Sequence, residues 1–203
     1  RALVAAQVAA LTTTQATSIS ADQLASMTAD QARALSTADI SKLTTTQLAA
    51  LSTLAAASLT ADQLIALTTT QASGLATTQL SVLSASQAQY LETADIAKLE
   101  TDQVRALSSA ALSGLTTSQV SSLSTKQLAA LKTSQISGFN SSQIGSLSSA
   151  NFVTLGTDQL AVISATQIKG LQAAAFANLS TPLANFLRAS GPNSITLLII
   201  NLQ

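Results

Sequence analysis

The sequence predicts an all-α solenoid of very short helices built from eight-residue repeats. Three observations predict this fold class. A large apolar residue, usually Leu, recurs every eight positions from Leu3 to Leu187 without a break in register. The next residue is Ser or Thr in 15 of 24 repeats, and the fifth residue of the repeat is Gln in 16 of 23. Ala, Leu and Gln are abundant, and these residues favour helix over strand.

Each repeat carries the signals that begin a helix. With the Leu as position one, Leu43–Ala50 reads LTTTQLAA. Ser or Thr followed three residues later by Gln is a capping box, and the apolar residues at positions one and six form the hydrophobic staple around it. Each octad therefore begins a helix of about six residues, roughly 9 Å long. The pattern predicts capping by Thr44, Gln47, Thr68 and Gln71, and a core that includes Leu43, Leu51, Leu59, Leu67, Leu75 and Leu83.

Such short helices are unstable alone, so they must stack with positions one and six inside. At position six, Ala alternates with larger residues from Ala16 to Ile40 and again from Ala56 to Ile96. This alternation, with a period of two octads, predicts that two octads make one coil, meaning one full turn of the solenoid. Three octads per coil is the alternative. Some sequences also recur at a spacing of seven octads. LTTTQA, for example, begins at both Leu11 and Leu67, which indicates duplication of a seven-octad unit.

Glycine recurs at position eight, just before the next Leu. This position suits a left-handed helix end, for which Gly is the preferred residue, or a close contact between helices. Bulkier residues also occupy this position, as in Val82 and Tyr90, so the left-handed interpretation cannot hold for every corner. The four glycines are Gly74, Gly114, Gly138 and Gly170.

A β-solenoid is the alternative fold, because short Thr-rich repeats can also stack as strands. Positions one and six have opposite parity, however, and would point to opposite faces of a strand. The helical solenoid is therefore the preferred prediction.

The residue pattern of the repeat changes near the C-terminus. We therefore assign residues 1–187 to the octad solenoid and residues 188–203 to a C-terminal turn and strand. Thr181 and Pro182 predict a capping helix over about residues 180–190. Residues 194–202 are uncharged and rich in β-branched side chains, which predicts a short strand. An exposed strand of this kind pairs readily with other chains. We expect it to cover the last coil or to contact a second subunit through Ile195, Leu197, Leu198, Ile199 and Ile200.

The composition argues against most chemistry. The chain of 203 residues has nine Lys+Arg and nine Asp+Glu, with no His and no Cys, so we expect no catalytic site, no metal and no cofactor. Zero net charge argues against nucleic acid as a partner, and no apolar stretch is long enough for a membrane span. The densest acidic group is Glu92, Asp95, Glu100 and Asp102, and within it Asp95 and Asp102 are interpreted as first-turn residues favoured by the helix dipole. Because the chain opens at Arg1 without a signal peptide, we expect a piece of a longer precursor.

The repeats have a recognisable relative. The units at Leu43–Ala50, Leu67–Gly74 and Leu123–Ala130 resemble the low-complexity helical repeat arrays of large bacterial secreted or cell-surface proteins, many of them adhesin-like. The resemblance covers residues 3–187. It implies a secreted or cell-surface location and supplies no catalytic residues.

The sequence predicts a non-enzymatic structural protein whose principal partner is a second copy of itself. Solenoids grow in one dimension, and like ends can stack into a filament or extend an adhesin stalk. The alternative is a surface-binding module that uses rows of Thr and Ser to bind ice or a surface polysaccharide.

Overall fold

A computed structural model describes residues 3–168, with the side chains of Ser149, Ala165 and Ile168 left aside. This part of the chain contains 21 α-helices of four to six residues and no strand, and each helix begins eight residues after the one before it. The predicted solenoid of very short helices is confirmed, and the β-solenoid is wrong for these residues. The helices are α1 (Ala5–Ala9), α2 (Thr13–Thr17), α3 (Ala21–Ala25), α4 (Ala29–Ala34), α5 (Thr37–Lys42), α6 (Thr45–Ala50), α7 (Thr53–Ala56), α8 (Ala61–Ile65), α9 (Thr69–Ser73), α10 (Thr77–Ser81), α11 (Ala85–Ala88), α12 (Thr93–Lys98), α13 (Thr101–Ala106), α14 (Ser109–Gly114), α15 (Thr117–Ser121), α16 (Thr125–Ala130), α17 (Thr133–Ile136), α18 (Ser141–Gly145), α19 (Ser149–Phe152), α20 (Thr157–Ala161) and α21 (Ala165–Ile168).

Reciprocal hydrogen bonds begin the helices. Thr44 has extended backbone angles, with φ −69° and ψ 159°. Its hydroxyl accepts a hydrogen bond from the backbone N–H of Gln47 at 3.2 Å, and the side-chain Oε1 of Gln47 accepts one from the backbone N–H of Thr44 at 2.8 Å. Thr68 and Gln71 form the same pair, at 3.3 Å and 2.8 Å. The capping box therefore forms as the spacing requires.

The Leu at position one lies at the turn between helices, and in several octads, as at Leu43, it is the residue that ends the helix. Leu43 leaves the helical region at φ −60° and ψ 142°, while its amide still donates to the Ile40 carbonyl at 3.2 Å. The next residue is already the cap of the following helix. The segments between successive helices are only two to four residues long, which leaves no room for an inserted loop between octads.

Three octads, and not two, complete one coil. Helices pack against helices three places further along the chain, from α1 with α4 to α18 with α21. The 21 helices, at three to a coil, make seven coils arranged in three stacks. The first stack begins with α1, the second with α2 and the third with α3, and each continues with every third helix.

The prediction of two octads per coil is wrong because the alternation of small and large residues at position six has a different cause. Residues that stack on each other in successive coils are three octads apart. Since three is odd, a residue that alternates in size every octad also alternates in size from one coil to the next. Ala56 is thus followed one coil later by Leu80, and Ala72 by Ile96. The alternation places a small side chain next to a large one along each stack, which fills the core evenly.

Positions one and six form one continuous core. Leu48, Leu64 and Leu80, all at position six, are completely buried. The position-one residues are at most 5% exposed in this part of the array, namely Leu43, Leu51, Leu59, Leu67, Leu75 and Leu83.

The glycines at position eight serve close packing. Gly74 has φ −87°, so the left-handed interpretation is wrong there. A Cβ atom on Gly74 would lie 2.9 Å from the Thr45 Cβ, and one on Gly114 would lie 2.1 Å from the Ala85 carbonyl oxygen. In both cases the obstructing residue belongs to the preceding coil. At these two glycines, successive coils therefore come too close for a side chain at position eight.

The predicted capping helix over about residues 180–190 and the predicted strand over residues 194–202 lie outside the described residues, as does Gly170. The five predicted contact residues, Ile195, Leu197, Leu198, Ile199 and Ile200, lie outside them too. Among the helices of residues 3–168, none has the length and apolar character that crossing a bilayer requires.

Gly114→Ala tests the close packing at position eight. The new methyl group would collide with the backbone of Ala85, so we expect a loss of about 1–3 kcal/mol in the free energy of unfolding, measured by urea denaturation. Gly156→Ala is the control, because its nearest neighbour, the Gln159 Oε1, would be 3.8 Å away. Equal stability of the two variants would contradict the packing role of Gly114.

Candidate functional site

The fifth residue of the octad lies inside the solenoid. Gln63, Gln127 and Gln143 are between 1% and 3% exposed. A primary amide has two donors and an acceptor, and burying it without partners costs several kcal/mol. Each of these side chains therefore needs a complete set of hydrogen bonds.

Gln63 shows how the set is made. Its Oε1 accepts from the amide of Thr60, the cap of its own helix α8, at 2.9 Å. Its Nε2 donates to the carbonyl oxygens of Ala32 at 2.8 Å and Leu35 at 2.7 Å, which lie at the end of α4 in the preceding coil. One side chain therefore accepts from a backbone N–H at the beginning of one helix and donates to backbone carbonyls at the end of another. These backbone groups lack hydrogen-bond partners within their own helices.

The same arrangement recurs along the array, and we call it the glutamine ladder. Each rung is a position-five amide that donates to a position-one carbonyl of the preceding coil. Asn151 forms a rung as well, with its Nδ2 3.0 Å from the Leu123 oxygen. The other rungs are Gln31, Gln47, Gln63, Gln71, Gln79, Gln87, Gln103, Gln119, Gln127, Gln135, Gln143, Gln159 and Gln167.

Sequence reasoning identified the capping half of this interaction and missed the half that joins the coils. Even where position two lacks a hydroxyl, as at Ala76, the Gln79 Oε1 still accepts from the cap amide at 2.9 Å. The overlooked signal is that Glu never occurs at position five. A capping box accepts Glu as readily as Gln, and the helix dipole favours Glu. What Gln supplies and Glu lacks is a donor for the preceding coil.

Four octads between Gln31 and Gln167 lack an amide rung. They carry Asp39, Ala55, Asp95 and Ala111 at position five. The two Asp are seven octads apart, and so are the two Ala, which matches the predicted duplication. Because seven is not a multiple of three, the copies fall in different stacks, with Asp39 in the second stack and Asp95 in the third.

The acidic residues divide into two kinds. Glu92 and Glu100 are exposed N-caps and Asp102 is exposed in the first turn of α13, whereas Asp95 is completely buried. Burial raises the pKa of the Asp95 carboxyl above its ordinary value of 3.8. The prediction that Asp95 lies in the first turn of its helix is confirmed, but its burial is a finding that the sequence did not predict. Residues 3–168 contain no cluster of three acidic, His or Cys side chains that could hold a metal ion.

Comparison with known proteins agrees with the repeat structure. A family model described as the ALTTAQ repeat matches residues 96–133 and 125–157. No curated protein matches the chain. No solved structure matches it either. The chain is thus similar to tandem repeat proteins of the ALTTAQ type over the matched residues.

Gln127→Glu separates the two halves of a rung. The substituted carboxylate can still accept from the Ser124 amide, now 2.7 Å from Gln127 Oε1, but it cannot donate to Ile96 and Leu99. We expect a loss of about 2–4 kcal/mol in the free energy of unfolding at neutral pH, because a buried charge would face two carbonyl oxygens. Urea denaturation measures the loss.

Gln89→Glu is the matched control, since Gln89 is exposed and a surface substitution changes stability by about 0.5 kcal/mol or less. If Gln127→Glu were as mild as this control, the ladder would not hold the coils together.

Proposed function

We propose that this protein is a non-enzymatic structural protein, secreted or on the cell surface, whose solenoid extends by stacking coil on coil. Stacking between chains would form a filament, and stacking within a longer chain would form an adhesin stalk. The observation that carries this proposal is the uniformity of the ladder. Every coil offers amide donors on one side and carbonyl acceptors on the other, so the contact between coils can be repeated without a new kind of interface.

The first described coil offers the donor side of such a contact. Gln15 and Gln23 are exposed, and their Oε1 atoms accept from their own cap amides. Within residues 3–168, their Nε2 atoms have no hydrogen-bond partner, unlike those of the rungs above them. These amides would donate to the position-one and position-six carbonyls of another coil.

Apolar surface accompanies these donors. Leu3 is 41% exposed, and a hollow of about 140 Å³ opens between Leu3, Val8, Ile19 and Met27. Burying such surface against another coil is favourable at about 25 cal/mol per Å². Zero net charge adds little repulsion between copies. Hydrogen-bond donors and apolar contacts thus combine here as they do between coils inside the array.

The double variant Gln15→Glu/Gln23→Glu tests end-to-end stacking. It keeps the capping acceptors and replaces the donors with carboxylates that repel incoming carbonyls. We expect the unaltered chain to form linear assemblies that lengthen with concentration in sedimentation velocity and negative-stain electron microscopy. The variant should remain monomeric with unchanged helical circular dichroism.

Gln89→Glu should assemble like the unaltered chain, because it adds one charge away from the coil contact. Monodisperse monomers of the unaltered chain at high concentration would contradict the filament proposal. Assembly of the double variant would contradict the role given to the two amides.

A second candidate function is binding to ice or to a surface polysaccharide, and the three-octad coil supplies the observation that favours it. The third stack carries three of the four hydroxyl triplets at positions two to four of the described octads, namely Thr44–Thr46, Thr68–Thr70 and Thr116–Ser118. Between α6 and α18, the only charge at positions two to four of this stack is Glu92. Thr46, Thr70 and Ser118 are exposed, so a row of hydroxyls that is interrupted by one charge faces the solvent.

The triple variant Thr46→Lys/Thr70→Lys/Ser118→Lys tests this side of the solenoid. We expect co-sedimentation with crystalline cellulose or chitin, or thermal hysteresis, to be lost, because three charged side chains would hold an ordered surface away.

The matched control places the same three charges at the same octad position in the second stack, as Ala38→Lys/Ser86→Lys/Ser134→Lys. The control should bind as the unaltered chain does. Absence of both polysaccharide binding and thermal hysteresis in the unaltered chain would end this candidate.

A further inference from the structure

Asp95 lies at position five, where a rung would be, but its side chain is a carboxyl group and has no amide donor. Its Oδ2 accepts from the Glu92 amide at 3.0 Å, which preserves the capping half. Its Oδ1 is buried and has no hydrogen-bond partner. In the adjoining coils, the position-five residues of the same stack, Gln71 and Gln119, donate from this place to the coil beneath them.

The acceptor that a rung at this position would use is the Leu67 carbonyl of the preceding coil. No described residue donates a hydrogen bond to that oxygen. Leu91 and Leu43, the position-one residues one coil later and one coil earlier in the same stack, receive amide donors from Gln119 and Gln71. The junction of α9 with α12 is therefore one of the four that lack an amide rung.

A side chain of this length can reach the acceptor. Asn151 has the same number of side-chain heavy atoms as Asp, and its Nδ2 lies 3.0 Å from the Leu123 carbonyl oxygen at the corresponding position. A protonated Asp95 carries an O–H where Asn151 carries an N–H. A neutral carboxylic acid can therefore do what the amide of Asn151 does.

The described surroundings of Asp95 hold no buried charge to balance a carboxylate. The helices that pack on α12, which are α9 and α15, contain no ionisable residue. On its own helix and at its cap, Asp95 has Lys98 and Glu92 as charged neighbours, and both are exposed. Burial raises the pKa of the Asp95 carboxyl, and the charge of Glu92 raises it further, while the hydrogen bond from the Glu92 amide and the proximity of the Thr69 hydroxyl of α9 oppose the increase.

We propose that Asp95 is a proton-dependent rung, which joins α12 to α9 when its carboxyl is neutral and weakens that junction when it ionises. In the neutral form the O–H donates to the Leu67 carbonyl. In the ionised form a carboxylate oxygen faces a carbonyl oxygen in a buried position, and the two repel each other. This property does not depend on the proposed structural function.

The direction of the pH dependence follows from the bound proton. Because the folded chain holds this proton more tightly than the unfolded chain, the contribution of the rung is complete below the unfolded pKa of about 3.8. It is lost as the pH rises through the higher pKa of the folded state. Over that interval the unfolding equilibrium constant should rise by up to about tenfold per pH unit.

Asp95→Asn tests the proposal, because the amide supplies a donor at every pH. We expect urea denaturation from about pH 3 to about pH 8 to show a gap in stability between the variant and the unaltered chain that opens as the pH rises. Hydrogen exchange should place the difference at the amides of α9 and α12. The control is Asp102→Asn, which removes an exposed carboxylate from the next helix and should leave the pH profile of those amides unchanged.

Asn151→Asp is the reciprocal test and does not depend on the behaviour of the first variant. It should give the junction of α16 with α19 the pH dependence that Asp95 gives to α9 and α12. The proposal is overturned if Asp95→Asn keeps the pH profile of the unaltered chain, or if Asn151→Asp acquires none. Stabilisation of the unaltered chain at neutral pH by added CaCl₂ or NaCl, absent from Asp95→Asn, would also overturn it by assigning the buried oxygen to a cation.

Discussion

The structure depends on how the two ends of very short helices are satisfied. A helix of four to six residues consists almost entirely of ends, so most of its backbone amides and carbonyls have no intrahelical partner. Ser and Thr caps supply part of what is missing, and the position-five amide supplies the rest on both sides of a coil junction. Gln63 illustrates this with one acceptor used by Thr60 and one donor group used by Ala32 and Leu35. Without such a bifunctional side chain, the helix ends inside the solenoid would remain unpaired.

The core follows from the same constraint. Each helix is too short to bury a wide apolar stripe, so burial is concentrated at position one, which turns the chain, and at position six, which faces the axis. Small and large residues then alternate between coils, as Ala56 and Leu80 do, and the coils approach most closely where position eight carries Gly. Ala at position six and Gly at position eight, which look like weaknesses in an isolated helix, are the residues that allow coils to stack.

An interface repeated so uniformly suits a protein that extends in one direction. The low charge, the exposed amides of Gln15 and Gln23, and the three hydroxyl triplets of the third stack all support a structural or surface-binding function, as proposed above. The exceptions in the ladder have more specific consequences. Ala55 and Ala111 remove a rung without adding a charge, whereas Asp95 introduces a buried acid whose state depends on pH.

The sequence by itself determined where every described helix begins. Caps such as Thr44 with Gln47 act within four residues, and the apolar residues at positions one and six were correctly assigned to the core. The tertiary structure alone decided the contacts between octads that lie a full coil apart: three octads in a coil, the carbonyl partners of each Gln, the contact of Gly114 with Ala85, and the burial of Asp95. These depend on the angle through which each short corner turns the chain. Local capping signals do not encode that angle. The alternation over two octads in the sequence was therefore interpreted as two octads per coil, whereas packing between coils requires three.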